Sequence, residues 1–573
     1  MSSSRASTAA GTGELRSASI LSTRRALRAA GTWGIGVLLV SDISDSLCSH
    51  PVVAHALAEF TEDMSTVTVS VGPLTIDDVI AVARHGARVE LAAESREAMA
   101  TSRAVIDALS EDPVPHYGIS TGFGALATKH IPIEQRLQLQ RSLVRSHAAS
   151  SGPSVEREVV RGTMLLRLST MATGRTGVRP LVAETYAALL NAGITPVIGE
   201  YGSLGCSGDL APLAHCALAV MGEGDVTVGD RVLPASTALA EAGIEPVVLR
   251  EKEGLALING TDGMLGMLCL AIGDLTDLLD TADLAAAMSV EGLAGTDRVF
   301  AADLQALRPH PGQAESAANM RAVLEGSGAI ASHRTNGFTR VQDAYSLRCA
   351  PQVHGAARDT VTHARLVAGR ELASAIDNPV VTVDGRVESN GNFHGAPIGY
   401  VLDFLAIVAA DVASMSERRT DRFLDKSRNG GLNPFLAHDP GVDSGHMIAQ
   451  YTQAGIVSEL KRLAAPASVD SIPTSAMQED HVSMGWSAAR KLRRSIDGLQ
   501  RVVAIELMTA ARGIQMRGET PAPVSAAVIE RLRADVPGPG PDRYLAPDIA
   551  AAVALVVSGA LLDASGLNER TTP

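Results

Sequence analysis

The sequence predicts a mainly α-helical protein, and two observations carry that reading. Hydrophobic residues make up 46% of the 573 residues but aromatics only 3%, so Ala, Leu, Val and Met must build the core. Ala and Leu are strong helix formers, while the aromatic strand formers are scarce. Apolar residues also recur at three- and four-residue spacing over long stretches, which is the period of a helix face. A chain of this length can bury one large core or two to three modest ones.

Taken in order, residues 1–63 are rich in Ser, Ala and Thr and lack sustained periodicity. RRALRAAGTWGIGVLLV (24–40) superficially suggests an export signal, but its apolar run is short and no small-residue cleavage site flanks it. The stretch is read as an unstructured extension ahead of Met64, with Met1 and Met64 both left open as the start. Thr75-Ile76-Asp77-Asp78 then marks a helix start leading into Val79-Ile80-Ala81-Val82-Ala83. A Gly-rich loop is expected at Tyr117 to Gly124, where glycine lets the backbone lie close to a ligand. Long helices are predicted by three stripes: Leu265, Leu268, Ile272, Leu275 and Leu279; Leu402, Leu405, Val408, Val412 and Met415; Leu492, Ile496, Leu499, Val503 and Leu507. Such stripes suggest a bundle.

Gly/Pro-rich loops are expected at about 307–340 and 518–547, the latter containing VPGPGP. The expected organisation is an extension (1–63), an N-terminal catalytic region (64–260) and a long-helix bundle with the C-terminal region (261–573). No repeat and no clean linker divides them.

Composition also excludes some functions. With 49 basic against 63 acidic residues the net charge is −14, and no basic runs occur, so neither nucleic acid nor an anionic membrane is an expected partner. No stretch offers 18 uninterrupted apolar residues, and even Val401 to Met415 is broken by Asp403 and Asp411. Five cysteines, without a CxxC pair or a Cys/His cluster, indicate neither a disulfide framework nor a zinc site. A reducing cytoplasm is the expected setting.

The chemistry rests on GSLGCSGDLAPLAH (202–215). A serine-hydrolase elbow requires G-x-S-x-G, but the fifth position counted from Gly205 is Asp209. Neither GxxxxGK[ST] nor GxGxxG is present for a phosphate loop. A surface turn is the plain reading. The other is backbone chemistry: the Gly208 nitrogen, unobstructed by a side chain, attacks the Cys206 carbonyl carbon. Loss of two waters would then make Ser207 a methylidene on an imidazolone ring, an electrophile that ordinary side chains cannot supply. On these residues alone both readings stay open.

The stretch resembles the active-site signature of the aromatic amino-acid ammonia-lyases, GS-x-G-A-S-G-D-L-x-P-L-x-H. Cys206 departs from the commoner alanine, but the ring takes only backbone atoms from that position. Six further stretches match in the family's order: YGISTGFGALA (117–127), SHAASSG (146–152), NGTDGM (259–264), QDAYSLRCAPQVHG (342–355), NGNFHG (390–395) and QEDHVSMG (478–485). The resemblance runs from about Met64 to the C-terminus. It implies a helix-rich lyase fold of fumarase–aspartase-like architecture and a homotetramer with sites shared between subunits. It also implies a 4-methylideneimidazole-5-one (MIO) group formed autocatalytically from Cys206, Ser207 and Gly208, with no external cofactor and no metal. The GSSxMPxKxN-type motif of the fumarase–aspartase enzymes is absent, which argues against their chemistry.

Within the family, Ser146-His147 resembles the histidine-acting members, where tyrosine lyases show His-Leu and many phenylalanine lyases Phe-Leu. Glu479 resembles them as well. An imidazole offers two nitrogens to such partners, whereas a phenyl ring would leave both unpaired. The implied reaction is elimination of ammonia from L-histidine to trans-urocanate, the opening step of histidine degradation. A phenylalanine or tyrosine lyase or an aminomutase is the alternative, and a non-catalytic tetrameric scaffold the rival of another class. By resemblance Tyr117 is the first candidate for proton transfer at the β-carbon and Tyr345 the second. A buried tyrosine acting as base would need its pKa lowered by the site. Arg348 would clamp the carboxylate, Asn259 hold the electrophile or the departing amine, Phe393 wall the ring pocket and Gln342 line it. Each also has a plain reading: His147, four residues after Leu143, as a capping histidine; Glu479 on a solvated face; Tyr345 as a core tyrosine; Arg348 as a structural ion-pair partner.

Overall fold

The computed structural model describes residues 65–335 and 341–569, and the extension expected over 1–63 lies outside them. Strand β1 (Thr66–Val69) pairs in parallel with β2 (Arg88–Leu91) across helix α1 (Ile76–His85). The predicted start of α1 is a capping box. Thr75 Oγ1 accepts from the Asp78 amide at 3.1 Å, and Asp78 Oδ2 accepts from the Thr75 amide at 2.9 Å, which satisfies two otherwise orphaned donors.

Four long helices form the body: α2 (Asp262–Gly292), α3 (Ala350–Leu372), α4 (Ala396–Leu424) and α5 (Gly485–Arg517). Leu265, Leu268, Ile272, Leu275 and Leu279 are all buried, but α2 is covered nearly all round rather than along one stripe. It is the central helix of the bundle, and at 31 residues it spans roughly 45 Å. Arg419 of α4 pairs with Glu506 of α5 at 2.5 Å with both side chains fully buried, and Ser289 of α2 donates to the same carboxylate at 2.6 Å. Three long helices are thereby registered at one point. Such a pair is retained more readily for its geometry than for net stability.

Helix α4 is long and apolar enough to cross a membrane by length and composition, yet most of its apolar window is buried in protein. Asp403, which breaks its apolar run, is buried and paired with Lys491 of α5.

The loops expected at 307–340 and 518–547 are partly helical. Pro311–Leu324 and Gly328–Thr335 are helices, and so is Pro523–Arg533. Pro311 and Pro523 stand in the first turn, where the missing N–H is not needed, so proline starts these helices instead of breaking them. Small sheets complete the fold, among them β3 (Ser151–Ser154) paired with β5 (Gly199–Tyr201), and the order β4-β6-β7 built from Thr195–Pro196, Asp225–Val228 and Arg231–Pro234.

Candidate active site

The GSLGCSGDLAPLAH stretch leaves β5 and enters a helix at Leu210–Val220. Its backbone turns at Gly205 (φ +63°) and Gly208 (φ +77°), in the left-handed region that glycine enters without strain. A Cβ at position 208 would lie 2.0 Å from the Gly260 carbonyl oxygen, so only glycine fits. The adjoining Asp209 amide donates to that same oxygen at 2.7 Å.

Three distant segments pin this loop. Ser483 Oγ donates to the Gly205 carbonyl at 2.8 Å, the Met484 amide to Leu204 O at 2.8 Å, and the Gly395 amide to Gly205 O at 3.3 Å. Asp209, fully buried, accepts from Ser203 Oγ at 2.8 Å and from the Met264 amide at 2.9 Å. Burial pushes its carboxyl up to about 7 against these bonds. Motif stretches 259–264, 390–395 and 478–485 therefore converge on the 202–215 stretch. A side-chain-free Gly208 under a fixed carbonyl, in a loop clamped on both sides, fits backbone cyclisation.

Ser207 Oγ donates to Glu479 Oε1 at 3.3 Å. The other oxygen, Oε2, accepts from Thr474 Oγ1 at 2.9 Å, so the carboxylate is held and is not on a freely solvated face. His147 is the last residue of helix Ile133–His147, and its Nδ1 lies 2.9 Å from the Leu143 carbonyl. With an Nδ1–H it caps that carbonyl, as the plain reading has it, and Nε2 is left for another partner. Burial lowers the imidazole pKa, while the Leu143 carbonyl and the nearby Glu479 charge oppose the shift. Burial and Glu479 push the Cys206 thiol up to about 12, so it remains protonated near neutrality.

Tyr117 packs edge-on to Phe123, with ring centroids 6.5 Å apart, and its hydroxyl accepts from the Gly124 amide at 3.4 Å. Its surroundings do not supply the lowered pKa that a basic role requires. Burial raises it, and the charges of Glu479 and Asp377 add to the rise. Asn259 is buried; its Nδ2 donates to Asn378 O at 3.0 Å and its Oδ1 has no partner. Phe393 is half-buried in the turn that brings Gly395 to the loop, beside His394 stacked on His481 at 5.5 Å.

Gln342, Tyr345 and Arg348 form a second cluster. Arg348 lies 4.7 Å over the Tyr345 ring and donates to Gln342 Oε1 at 2.9 Å. Tyr345 is 69% exposed, so it is not a core tyrosine in this chain. None of the hydrogen bonds found among the described residues joins this cluster to the Ser207 loop.

Sequence reasoning missed the support beneath Asn259. Arg167, fully buried, donates to Asn259 O and to Ile376 O, each at 2.9 Å, and Lys252 Nζ meets Asp377 Oδ2 at 2.5 Å with both side chains fully buried. The one signal was a lone arginine within the apolar stretch MLLRLS (164–169).

The family model for aromatic amino acid lyases matches residues 74–534. The chain belongs to the aromatic amino acid lyase family. A histidine ammonia-lyase of Streptomyces avermitilis is 67% identical over 505 residues, covering 88% of this chain and 98% of that protein. Among solved structures, histidine ammonia-lyase from Trypanosoma cruzi is similar with a TM-score of 0.80 at 37% identity, covering 87% of this chain and 95% of that one. Tyrosine aminomutase from Streptomyces globisporus is similar with a TM-score of 0.83 at 38% identity, covering 89% and 99%. The helix-rich architecture of this family is the fold described above.

Proposed function

We propose that this lyase eliminates ammonia from L-histidine to give trans-urocanate. The observation that carries the reading is Glu479, whose carboxyl holds Ser207 Oγ at 3.3 Å while its charge acts on the half-buried His147 imidazole. The two imidazole nitrogens of a histidine substrate can each find a polar partner there, and a phenyl or phenol ring cannot use both. The 67% identity to a histidine ammonia-lyase supports the same substrate, against 38% for the tyrosine aminomutase.

Cys206, Ser207 and Gly208 are suited to form the MIO ring, and that group supplies an electrophilic methylidene carbon which draws electrons from the substrate and eases departure of its amine. The remaining roles belong to side chains. Asn259 Oδ1, unpartnered and buried, accepts from the substrate amine. Arg348 forms a bidentate pair with the substrate carboxylate, and Gln342 orients Arg348. Tyr117 moves the proton at the β-carbon. Burial and the charges of Glu479 and Asp377 raise its phenol pKa within one chain, so to act as a base it needs a lowering that the completed site must supply. Tyr345 is the second candidate, and Phe393 walls the ring pocket.

Gln342 and Tyr345 are exposed and Arg348 is half-buried, and among the described residues no hydrogen bond joins them to the Ser207 loop, which supports a homotetramer in which one subunit's cluster completes another's site. The chain is divided as 64–260, carrying the ring-forming loop, and 261–573, carrying the bundle. Cys206, Cys216, Cys269 and Cys349 are free thiols, in keeping with a reducing cytoplasm.

Purified protein supplied with L-histidine should release ammonia and urocanate in equal amounts, and Ser207→Ala should release neither while remaining folded. Ammonia release by the alanine variant at the parent's rate would overturn the mechanism.

A further inference from the structure

We infer that Glu479 has a second task, completing the chain's own electrophile by protonating the Ser207 hydroxyl as it leaves. The inference rests on the reading that Cys206, Ser207 and Gly208 close into a ring. Ser207 Oγ donates to Glu479 Oε1 at 3.3 Å, so the carboxyl, once it carries a proton, reaches the same hydroxyl with the hydrogen bond reversed. The contact involves an atom that the finished ring no longer has, so handling of the amino-acid substrate does not account for it.

Other acids near the loop are engaged elsewhere. Tyr117 O accepts from Gly124, His147 Nδ1 meets Leu143 O, and the Asp209 oxygens accept from Ser203 and Met264. Glu479 is also pre-positioned. Thr474 Oγ1 holds Oε2 at 2.9 Å, and the Thr474 amide donates to the Glu479 carbonyl at 3.0 Å.

Two waters leave as the ring closes. In the first loss, Gly208 N bonds to the Cys206 carbonyl carbon, and that oxygen departs with the amide hydrogens of Ser207 and Gly208. In the second, the Ser207 Cα–H bond breaks and its electron pair becomes the Cα=Cβ bond. The Cβ–Oγ bond breaks with its pair going to oxygen, and Glu479 gives that oxygen a proton. Water leaves, and the proton shed at Cα restores the carboxyl through solvent, so no outside reagent is consumed. Hydroxide is a poor leaving group, and general acids contribute on the order of 10²-fold or more to such steps.

The test is the mass of the loop peptide, followed over time after a pulse of synthesis, in the parent chain and in Glu479→Gln, Glu479→Asp and Thr474→Val. The parent should become lighter by two waters. The Gln variant should accumulate peptide lighter by one water and complete the second loss on the order of 10²-fold more slowly, with Asp restoring much of the rate. If circular dichroism shows that the Gln variant does not fold, Thr474→Val decides: a slowed second loss supports the role, and an unchanged rate overturns it. A folded Gln variant that sheds both waters at the parent's rate also overturns it. A parent chain that sheds none instead overturns the ring reading beneath it.

Discussion

Asn259 donates its Nδ2 to the Asn378 carbonyl at 3.0 Å, while the oxygen of the same amide is buried without a partner. An unpaired buried acceptor costs about 1–3 kcal/mol, a cost recovered when a ligand donates to it. Asn259→Ala should therefore lower kcat/KM for L-histidine about 10- to 100-fold, read from steady-state kinetics. An unchanged kcat/KM would mean that Oδ1 does not meet the substrate.

That amide is aimed by the buried Lys252–Asp377 pair, which anchors the residue before Asn378. Asp377→Asn leaves the lysine charge buried and uncompensated, an expected loss of about 3–5 kcal/mol in unfolding free energy by denaturant titration. In the folded fraction kcat should fall while KM changes little.

Gly208→Ala would place a Cβ 2.0 Å from Gly260 O at a φ of +77°, where both the space and the backbone angle reject it. The expected outcome is a loop peptide that retains both waters, measured by mass spectrometry, in a chain that keeps its helical circular dichroism.

His147→Phe removes the imidazole that we propose meets the substrate ring. The ratio of kcat/KM for L-histidine over L-phenylalanine should fall about 10- to 100-fold, the worth of one polar partner in a desolvated site. An unchanged ratio would reduce His147 to a cap for Leu143.

His446 gives a pH signature away from the site. Its Nδ1 lies 3.0 Å from Thr509 Oγ1, and burial, reinforced by Arg512, Arg543 and Arg533, lowers its pKa from 6.5 to about 3. The unfolded chain takes the proton first, so stability from this group is complete above 6.5 and is lost as pH falls toward 3. His446→Gln should flatten the decline in unfolding free energy between pH 6.5 and 4, by up to about 1.4 kcal/mol per pH unit. Parallel slopes in the two proteins would exclude this histidine as the source.

Much of this molecule is legible in its sequence because its signals are local and periodic. Leu492, Ile496, Leu499, Val503 and Leu507 repeat at helix spacing and are all buried in one helix. The Thr75 box is read directly from four residues. Helices that begin at Pro311 and Pro523 were hidden, since proline is a breaker inside a helix and a starter at its first turn. Within the site, the 202–215 stretch and its partners carry motifs that mark them in the sequence, but which of them meet is a matter of the fold: Gln342, Tyr345 and Arg348 also lie in a motif and do not bond to the loop. The Lys252–Asp377 pair, 125 residues apart in the chain, has no period and no motif. Tyr117 shows a different limit: its pKa direction depends on burial and on charges brought in by Glu479 and Asp377, which no linear pattern encodes.

The most direct measurement is a parallel assay of one purified preparation with L-histidine, L-phenylalanine and L-tyrosine at equal concentration. Urocanate forming far faster than cinnamate or coumarate is the expected result. Cinnamate or coumarate forming faster would contradict the assignment of Glu479 and His147 to an imidazole substrate.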